Sequence, residues 1–551
     1  MPRTRPARPT LATRFPAFRN RLIPVAIVLL GSLLIIGIHF GWWKFSMMPA
    51  NDFLWTLAAT NFLVYGWIRT FSQWQLNTQI VAITAIVAAQ AGLHQTLRLE
   101  GFAGDGRPMW TWRWIPQPHE RFAEQQRRVQ QSPQPAVEKP VNLATTSPSD
   151  YPGFRGADRT GVIKDSKLQT DWQPNPPRLL WKQPVGAAWS SFAIVGDFAV
   201  TQEQRGDHEA TVCYEFRTGR ERWVHLKRAS FSEVTSGEGP RATPTIHAGR
   251  VYSLGATGIL NCLDGSTGKP VWTVDVLKDN NAKNLLFGVT GSPLIAAGMI
   301  VVNPGGKGSS LAAYDLETGQ RIWRAGDSGA SYSSPQRATL CGHDQVLDFN
   351  ADGLSAHDLA TGERLWNVRW ISNPAERNNV CQPVVLNGFG PDGTDCVFLA
   401  SGYGMGCALL EIRKSSDGSF QASERWRNRN LKAKFSSVVV HEGHVYGLDE
   451  AILTCVDLLT GKRCWKGGRY NYGQLLLAGE QLLVQLESGE IALVRASPDS
   501  FQELSRFNAL SDRTWNHLAL AGSILLVRND REAAAYELPL NTHATKSAAT
   551  R

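Results

Sequence analysis

Short hydrophobic runs recur along the chain from Arg178 onwards, and most are closed by an acidic residue and a glycine turn. Five copies share the spacing acid-x-x-Thr-Gly-x-x-x-Trp: Glu215–Trp223, Asp264–Trp272, Asp315–Trp323, Asp358–Trp366 and Asp457–Trp465. Short runs of branched and aliphatic residues between turns predict β-strands. Their regular return predicts a repeat protein, in which each unit buries its apolar face against the next.

Each repeat contains four predicted strands. The Thr-Gly step predicts a tight turn before the last strand, because glycine takes a positive φ without a steric penalty. A Ser/Thr-Pro step opens the first strand, as at Thr243-Pro244 and Ser292-Pro293, and a run such as Gly249–Tyr252 supplies the second. Four antiparallel strands in each repeat are typical of a β-propeller blade.

The tryptophan positions predict eight blades. The last strands of successive units carry Trp181, Trp223, Trp272, Trp323, Trp366, Trp426 and Trp465, and Phe507 takes the next position. The final copy reaches Glu537 with no tryptophan after it, whereas the strand at Arg178–Trp181 has no unit of its own. We therefore predict an all-β, eight-bladed β-propeller over residues 150–541, closed by its N-terminal strand.

Apolar segments before residue 100 predict a membrane region. Leu22–Phe40 is long enough to span a bilayer core, and six arginines precede it. Phe53–Ile68 and Ile80–Leu93 are shorter candidates. We expect a basic cytoplasmic tail at 1–21, a transmembrane region of about three helices at 22–97, and N-terminal anchoring in a bacterial inner membrane. An odd number of spans places the propeller in the periplasm.

Composition and charge refine this picture. Residues 98–149 are rich in proline, glutamine and charged residues and predict an extended linker, and residues 542–551 predict a flexible tail. The net charge is +9, of which the first 150 residues carry +8. Because this excess adjoins the apolar segments, membrane topology explains it better than a nucleic-acid partner, and no nucleic-acid binding is predicted.

The acid-x-x-Thr-Gly-x-x-x-Trp repeat resembles the repeat of the pyrroloquinoline quinone (PQQ)-like β-propellers. Phe154-Arg-Gly156, with Arg159 and Gly161, resembles a motif that precedes the first strand in membrane-anchored members. The family includes quinoprotein dehydrogenases and the non-enzymatic propeller of the outer-membrane protein assembly machinery. The resemblance therefore implies either a binding scaffold or a PQQ-dependent oxidoreductase acting on a sugar or alcohol.

The cysteines favour the scaffold. Quinoprotein alcohol dehydrogenases of this family stack PQQ on a disulfide between adjacent cysteines, and their haem-bearing relatives need Cys-x-x-Cys-His; neither motif occurs here. Other quinoproteins lack the adjacent pair, so PQQ binding stays open as the alternative. A disulfide between Cys396 and Cys407, across a predicted hairpin, also stays open.

Two sets of candidate site residues follow. If PQQ binds, the resemblance places it in the central funnel, near Trp189, Gln202, Glu203, Arg241, Trp515 and Asn516; packing of the ring is the competing explanation for these residues. The loops between blades are rich in cations and aromatic residues, which predicts a mouth that binds an anionic protein segment or polysaccharide. The residues expected to contact this partner are Arg427, Arg429, Lys432, Lys434, Trp370, Tyr470 and Tyr472, and Phe435 is a further aromatic residue of these loops that could stack on a ligand.

No metal site is predicted. Asp348–Gly353 begins like a calcium loop, but its twelfth position is Leu359 where a bidentate glutamate is needed. His441 and His444 align with a turn between the first two strands of a repeat, and so do not indicate a zinc site. No catalytic residues are assigned.

Overall fold

The computed structural model describes residues 58–59, 61–62, 64–66, 75–131, 139–372 and 377–541. The chain divides into two compact units, residues 1–116 and 117–551. In the first unit, helix α1 (Leu76–Thr96) is followed by an antiparallel hairpin of strands β1 (Leu97–Phe102) and β2 (Pro108–Trp112).

The predicted membrane spans lie largely outside the described residues. This holds for Leu22–Phe40 and for most of Phe53–Ile68. Ile80–Leu93 lies within α1. Among the described residues, no helix is long and apolar enough to cross a membrane, and this finding includes α1.

Part of the stretch predicted as an extended linker carries regular structure. Besides the hairpin, it contains helix α2 (Pro118–Gln131) in the second unit. The Glu120 side chain accepts a hydrogen bond from the Gln117 backbone N–H at 2.7 Å, an arrangement that stabilises a helix start. The ring of Phe122 lies 5.0 Å from the guanidinium carbon of Arg205. Composition did not reveal this helix, because part of its support comes from contacts with the propeller, such as that of Phe122 with Arg205.

Eight four-stranded antiparallel units form the propeller, as predicted. Blades 1 to 4 comprise the following strands: β5 (Ala193–Val195), β6 (Phe198–Arg205), β7 (His208–Glu215) and β8 (Glu221–Arg228); β11 (Thr245–His247), β12 (Arg250–Leu254), β13 (Ile259–Asp264) and β14 (Pro270–Asp275); β15 (Leu294–Ala296), β16 (Met299–Val302), β17 (Leu311–Asp315) and β18 (Arg321–Ala325); β19 (Gln336–Leu340), β20 (His343–Asn350), β21 (Gly353–Asp358) and β22 (Arg364–Arg369).

Blades 5 to 8 follow the same order, except that blade 8 takes its outer strand from the N-terminal side. Their strands are β23 (Val384–Leu386), β24 (Asp395–Ser401), β25 (Gly406–Lys414) and β26 (Phe420–Asn428); β27 (Val439–His441), β28 (His444–Asp449), β29 (Ile452–Asp457) and β30 (Arg463–Arg469); β31 (Gln474–Ala478), β32 (Gln481–Gln485), β33 (Glu490–Arg495) and β34 (Glu503–Asn508); β35 (Ala519–Ala521), β36 (Ile524–Arg528), β37 (Glu532–Glu537) and β4 (Arg178–Pro184).

Smaller elements lie between the blades. Strands β9 (Ser232–Glu233) and β10 (Gly237–Glu238) form a minor hairpin, and α3 (Val276–Asp279) is a single helical turn. Strand β3 (Val162–Ile163) pairs in parallel with β31 of blade 7. His441 and His444 are paired across the turn between β27 and β28, as the repeat alignment predicts.

The N-terminal strand closes the ring. Strand β4 pairs antiparallel with β37 from Arg178 opposite Glu537 to Pro184 opposite Glu532. Trp181 is buried and its indole N–H donates to the Phe216 carbonyl of blade 1 at 3.0 Å. The prediction that this strand completes the last blade is confirmed.

The repeat motif builds the seams between blades. In blade 2, the Asp264 carboxylate accepts from the backbone N–H groups of Ser266 and Thr267 and fixes the turn. Gly268 then lies against Trp223 of blade 1, where a Cβ atom would be only 2.5 Å from the indole. The Trp223 N–H donates to the Gly265 carbonyl at 3.0 Å. The same glycine contact recurs for Gly219, Gly319, Gly362 and Gly461 with the tryptophan of the preceding blade.

The cysteines are all free thiols. Cys396 lies opposite Glu411 and Cys407 lies opposite Ala400 in the β24–β25 ladder. The two residues are therefore not paired across the hairpin, and the disulfide left open by the sequence is not formed.

Candidate functional site

The loops between blades gather on one face of the propeller, which we call the mouth. Because each blade has four antiparallel strands, every connection from an outermost strand to the next innermost strand reaches this face. The acid-Thr-Gly turns lie on the opposite face for the same reason. The described residues of the mouth loops are 185–192, 229–244, 276–293, 326–335, 370–372, 377–383, 429–438, 470–473 and 509–518.

Seven of these loops each present a half-buried aromatic residue. We call this set the mouth aromatics: Trp189, Phe231, Phe287, Tyr332, Phe435, Tyr472 and Trp515. The ring of Trp515 lies 4.9 Å from that of Trp189 and 5.6 Å from that of Phe435. Phe435 and Trp515 belong to loops that are not neighbours in the ring, so the side chains converge towards the axis.

Cations stack on these rings. The guanidinium carbon of Arg513 lies 4.9 Å from the Trp189 ring and 4.5 Å from the Trp515 ring. The Lys434 ammonium lies 4.7 Å from Tyr472 and 4.8 Å from Phe435. Such contacts hold flat rings and positive charge in fixed positions. Arg513 is buried and also pairs with Asp530 at 3.4 Å, so its charge is balanced inside the protein. The mouth thus combines aromatic rings with stacked cations.

Two of the six residues predicted to bind PQQ connect adjacent blades through hydrogen bonds. The Gln202 amide N–H group donates to the carbonyls of Ala242 and Leu254 at 2.7 and 3.1 Å. The Asn516 amide donates to the carbonyls of Ala188 and Ser190 at 3.1 and 2.8 Å. Both side chains are buried. They hold adjacent blades together, which is the packing role that the sequence left as the alternative.

Glu203 is also occupied inside the protein. Its side chain is fully buried and accepts from the Tyr214 hydroxyl at 2.7 Å and from the Arg205 Nε at 3.0 Å. The Gly186 N–H donates to the same carboxylate at 3.2 Å. Burial, and then the charge of Glu203, raise the pKa of Tyr214. The glutamate therefore fixes the start of the first mouth loop.

Arg241 lies at the mouth, but its donors are already used. Its Nε donates to the Phe287 carbonyl at 3.1 Å, Nη1 to the Gly239 carbonyl at 2.7 Å and Nη2 to the Ser236 hydroxyl at 2.9 Å. Burial lowers the pKa of this guanidinium to about 10. Of the six predicted residues, the structure brings only Trp189, Trp515 and Arg241 together at the mouth.

The residues predicted to bind the partner also divide into those that lie at the mouth and those engaged in contacts within the protein. Lys434 and Tyr472 lie among the mouth aromatics, and Arg429 is exposed beside them. Arg427 pairs with Glu424 and stacks on Trp370 with 4.2 Å between guanidinium carbon and ring. Lys432 donates to the Asp449 carboxylate at 2.6 Å.

Two predicted aromatic contacts need correction. Trp370 and Tyr470 are each only 1% exposed. Arg427 covers the Trp370 ring, and the Tyr470 hydroxyl donates to Glu503 at 2.6 Å. Neither ring offers a face to a ligand. Both were chosen because they follow an outer strand, a position from which the chain turns inwards in these two blades.

Four aromatic residues at the mouth were not predicted. Phe231, Phe287 and Tyr332 lie in the loops that lead into blades 2, 3 and 4, and the Tyr403 ring lies 5.5 Å from the Lys434 ammonium. A search for one aromatic residue in each inter-blade loop would have found the first three. Tyr403 belongs to a turn within blade 5 and carries no such signal.

Comparisons with known proteins define the class of the fold. Residues 207–467 match the family model of the outer membrane protein assembly factor BamB. Quinohemoprotein alcohol dehydrogenase of Comamonas testosteroni has a similar solved structure, with a TM-score of 0.53 and 13% identity over 76% of this chain and 84% of that one. At this identity the likeness shows the fold alone. The resemblance to the PQQ-like propellers is confirmed.

Two curated relatives match over a short segment. Quinohemoprotein alcohol dehydrogenase ADH-IIG of Pseudomonas putida is 34% identical over 80 residues, which are 14% of this chain and 11% of the relative. The dehydrogenase subunit of alcohol dehydrogenase (quinone) of Gluconacetobacter polyoxogenes is 35% identical over 82 residues, again 14% and 11%. The match therefore spans about a tenth of the length of these curated relatives.

Proposed function

We propose that this protein is a binding propeller, anchored in the bacterial inner membrane and facing the periplasm, that captures a partner at its mouth. The observation that carries the proposal is the convergence of aromatic residues from seven loops, with Lys434 and Arg513 stacked on them. Rigid aromatic side chains beside cations are typical of protein interaction surfaces. An anionic protein segment or an acidic polysaccharide fits this chemistry.

Site-specific photo-cross-linking tests the mouth. A photoreactive phenylalanine analogue at Tyr472 is expected to cross-link the partner in native membranes. The matched control is the same analogue at Ile322, which is 49% exposed on an outer strand far from the mouth loops. Cross-linking at both positions, or at Ile322 alone, would contradict capture at the mouth. Digestion of the product by a protease or by a polysaccharide lyase distinguishes the two kinds of partner.

The anchor and the orientation rest on the sequence. Leu22–Phe40, behind six arginines, is the segment we propose as the membrane anchor. A C-terminal alkaline phosphatase fusion should be active, and a fluorescent reporter that matures only in the cytoplasm should stay dark. The opposite pair of results would overturn the periplasmic location. Release of the chain from membranes by high salt would overturn the anchor.

A PQQ-dependent dehydrogenase is the second candidate, and the short matches to quinoprotein alcohol dehydrogenases favour it. The side chains do not fit the cofactor. Gln202, Glu203 and Asn516 are held by internal contacts, and all three nitrogen positions of Arg241 donate to protein oxygens. The rings of Trp189 and Trp515 lie 4.9 Å apart, too close to hold a planar cofactor between them, and Arg513 stacks on both.

Reconstitution separates the two candidates. Equilibrium dialysis with PQQ and calcium should show no tight uptake, and no dye reduction should follow addition of alcohols or aldoses. Saturable PQQ binding that is lost in Trp515→Ala, with the fold unchanged by circular dichroism, would favour the dehydrogenase instead.

A further inference from the structure

A short segment crosses the inside of the propeller on the face opposite the mouth. We call residues 146–163 the strap. The carbonyls of Tyr151, Pro152 and Gly161 accept from the backbone N–H groups of Ile194, Ile246 and Leu477 at 2.7, 2.8 and 2.8 Å. These three residues lie on the innermost strands of blades 1, 2 and 7. The strap thus extends the inner edges of several blades.

The strap buries two arginines without an acidic partner. Arg155 is 2% exposed and Arg159 is 8% exposed. Arg155 donates to the carbonyls of Thr160 and Val438, and Arg159 donates to those of Pro293 and Ser292 at 2.9 and 3.0 Å. Neither guanidinium pairs with a carboxylate in the described part of the chain. The Nε atoms of both side chains, and Nη1 of Arg155, lack a partner there.

Carbonyl groups alone do not neutralise a buried charge. An unpaired buried cation is costly, and a second like charge nearby adds to the cost. Burial, and then the charge of Arg155, lower the pKa of Arg159 to about 9. An anion placed beside Arg159 would offset this unfavourable term.

A cleft adjoins Arg159. It has a volume of about 360 Å³ and lies between the strap and the inner strands of blades 2 and 3. Its lining includes Phe154, Ile246 and Leu294, which are apolar. The size and apolar walls suit a small organic molecule. The guanidinium carbon of Arg159 lies 5.5 Å from the Phe154 ring.

The acidic residue in the lining is Asp150, and its charge is already engaged. One carboxylate oxygen accepts from the Ser147 N–H at 2.7 Å and the other from the Gly196 N–H at 3.1 Å. These contacts tie Asp150 to the strap and to the β5–β6 turn. Arg159 is the arginine in the lining and has no acidic partner among the described residues, and His247 also borders the cleft.

We propose that this cleft binds a small organic carboxylate, with Arg159 balancing its charge and the apolar walls holding its body. Arg155 adds to the positive potential behind Arg159. A small molecule suits the cleft, whose volume is about 360 Å³, and the strap already pairs with the inner edge of blade 2 on one side of it. The cleft opens on the face opposite the mouth, although Arg159 reaches the carbonyls of Ser292 and Pro293 at the end of a mouth loop.

Benzoate and its neutral isostere benzamide test the proposal. With the full chain in detergent, benzoate should bind saturably by calorimetry and raise the Tm by a few degrees at constant ionic strength. Benzamide should do neither. In Arg159→Met the response to benzoate should be lost, whereas Arg178→Met, which removes an exposed arginine paired with Glu537, should keep it.

A second variant guards against misfolding of Arg159→Met. Ala157 is exposed and lines the cleft, so Ala157→Trp should fill the space while leaving Arg159 and its carbonyl contacts in place. This variant should melt like the native protein and fail to bind benzoate. Equal responses to benzoate and benzamide, or unchanged benzoate binding in Ala157→Trp, would overturn the proposal.

Discussion

The seams between blades and the mouth use aromatic residues in opposite ways. At the seam between blades 1 and 2, Trp223 lies flat against Gly268 and donates to the Gly265 carbonyl, and an equivalent tryptophan–glycine contact recurs at four other seams. At the mouth, Trp189, Phe287 and Tyr472 differ in type and in position within their loops. The residues that recur in the repeats therefore hold the blades together, whereas the residues that differ between loops determine the chemistry of the mouth.

The largest expected effect comes from removing the strand that closes the ring. A chain beginning at Gly186 lacks β4 and the strap, so β37 loses its outer partner and Trp181 no longer covers Gly219. Burial of one such indole contributes roughly 2–3 kcal/mol, and the loss of a whole strand with it should abolish the cooperative thermal transition.

Calorimetry checks this truncation. A chain beginning at Gln117, where the second compact unit starts, is the matched control and should melt cooperatively. A sharp transition for the chain beginning at Gly186, at the Tm of the control, would show that the ring does not need its N-terminal strand.

A smaller loss is expected where a predicted mouth cation proves structural. Lys432 and Lys466 both donate to Asp449, whose side chain is fully buried. Lys432→Glu places a second carboxylate beside it and should cost on the order of 3 kcal/mol in the free energy of unfolding. Arg429→Glu, at an exposed residue of the same loop, should leave that free energy almost unchanged. Denaturant titration of both variants measures the difference, and similar losses would contradict the distinction.

The seam glycines allow a cleaner comparison. Gly268 (φ +72°) and Gly298 (φ +74°) share a left-handed backbone, but a Cβ atom would strike Trp223 only at Gly268. Gly298→Ala should therefore show the backbone penalty alone, about 1 kcal/mol. Gly268→Ala should lose more, because the indole must move. Equal decreases in Tm would mean that the tryptophan–glycine contact contributes little to the seam.

These contrasts also explain which features the sequence could reveal. Trp223 and Gly268 recur at a fixed spacing, so the fold, the blade number and the closing strand followed from the pattern. The contact between Trp515 and Phe435 joins loops two blades apart, and no spacing encodes it. Trp370 and Tyr470 were assigned to the surface because sequence shows that a residue lies in a loop but not which way its side chain turns.

A pH-dependent effect is expected from a buried acid near the mouth that has no counterpart in the repeat. Asp348 lies on β20 and is 1% exposed; Asn350 donates to one of its carboxylate oxygens at 3.1 Å, and the other has no partner among the described residues. Burial raises the pKa of Asp348 from 3.8 to about 7. Its folded-state pKa is thus above the unfolded value, so its contribution to stability is present below pH 3.8 and is lost as the pH rises towards 7.

Asp348→Asn removes this loss, and its Tm relative to the native protein should therefore increase between pH 5 and pH 8. Asp315→Asn is the control, because hydrogen bonds from Thr318 lower the pKa of this partly exposed turn residue and its ionisation is complete throughout that range. Its Tm difference from the native protein should be the same at pH 5 and pH 8. If the Tm difference for Asp348→Asn is also the same at both pH values, Asp348 does not titrate between them, and its ionisation does not lower the stability of the fold.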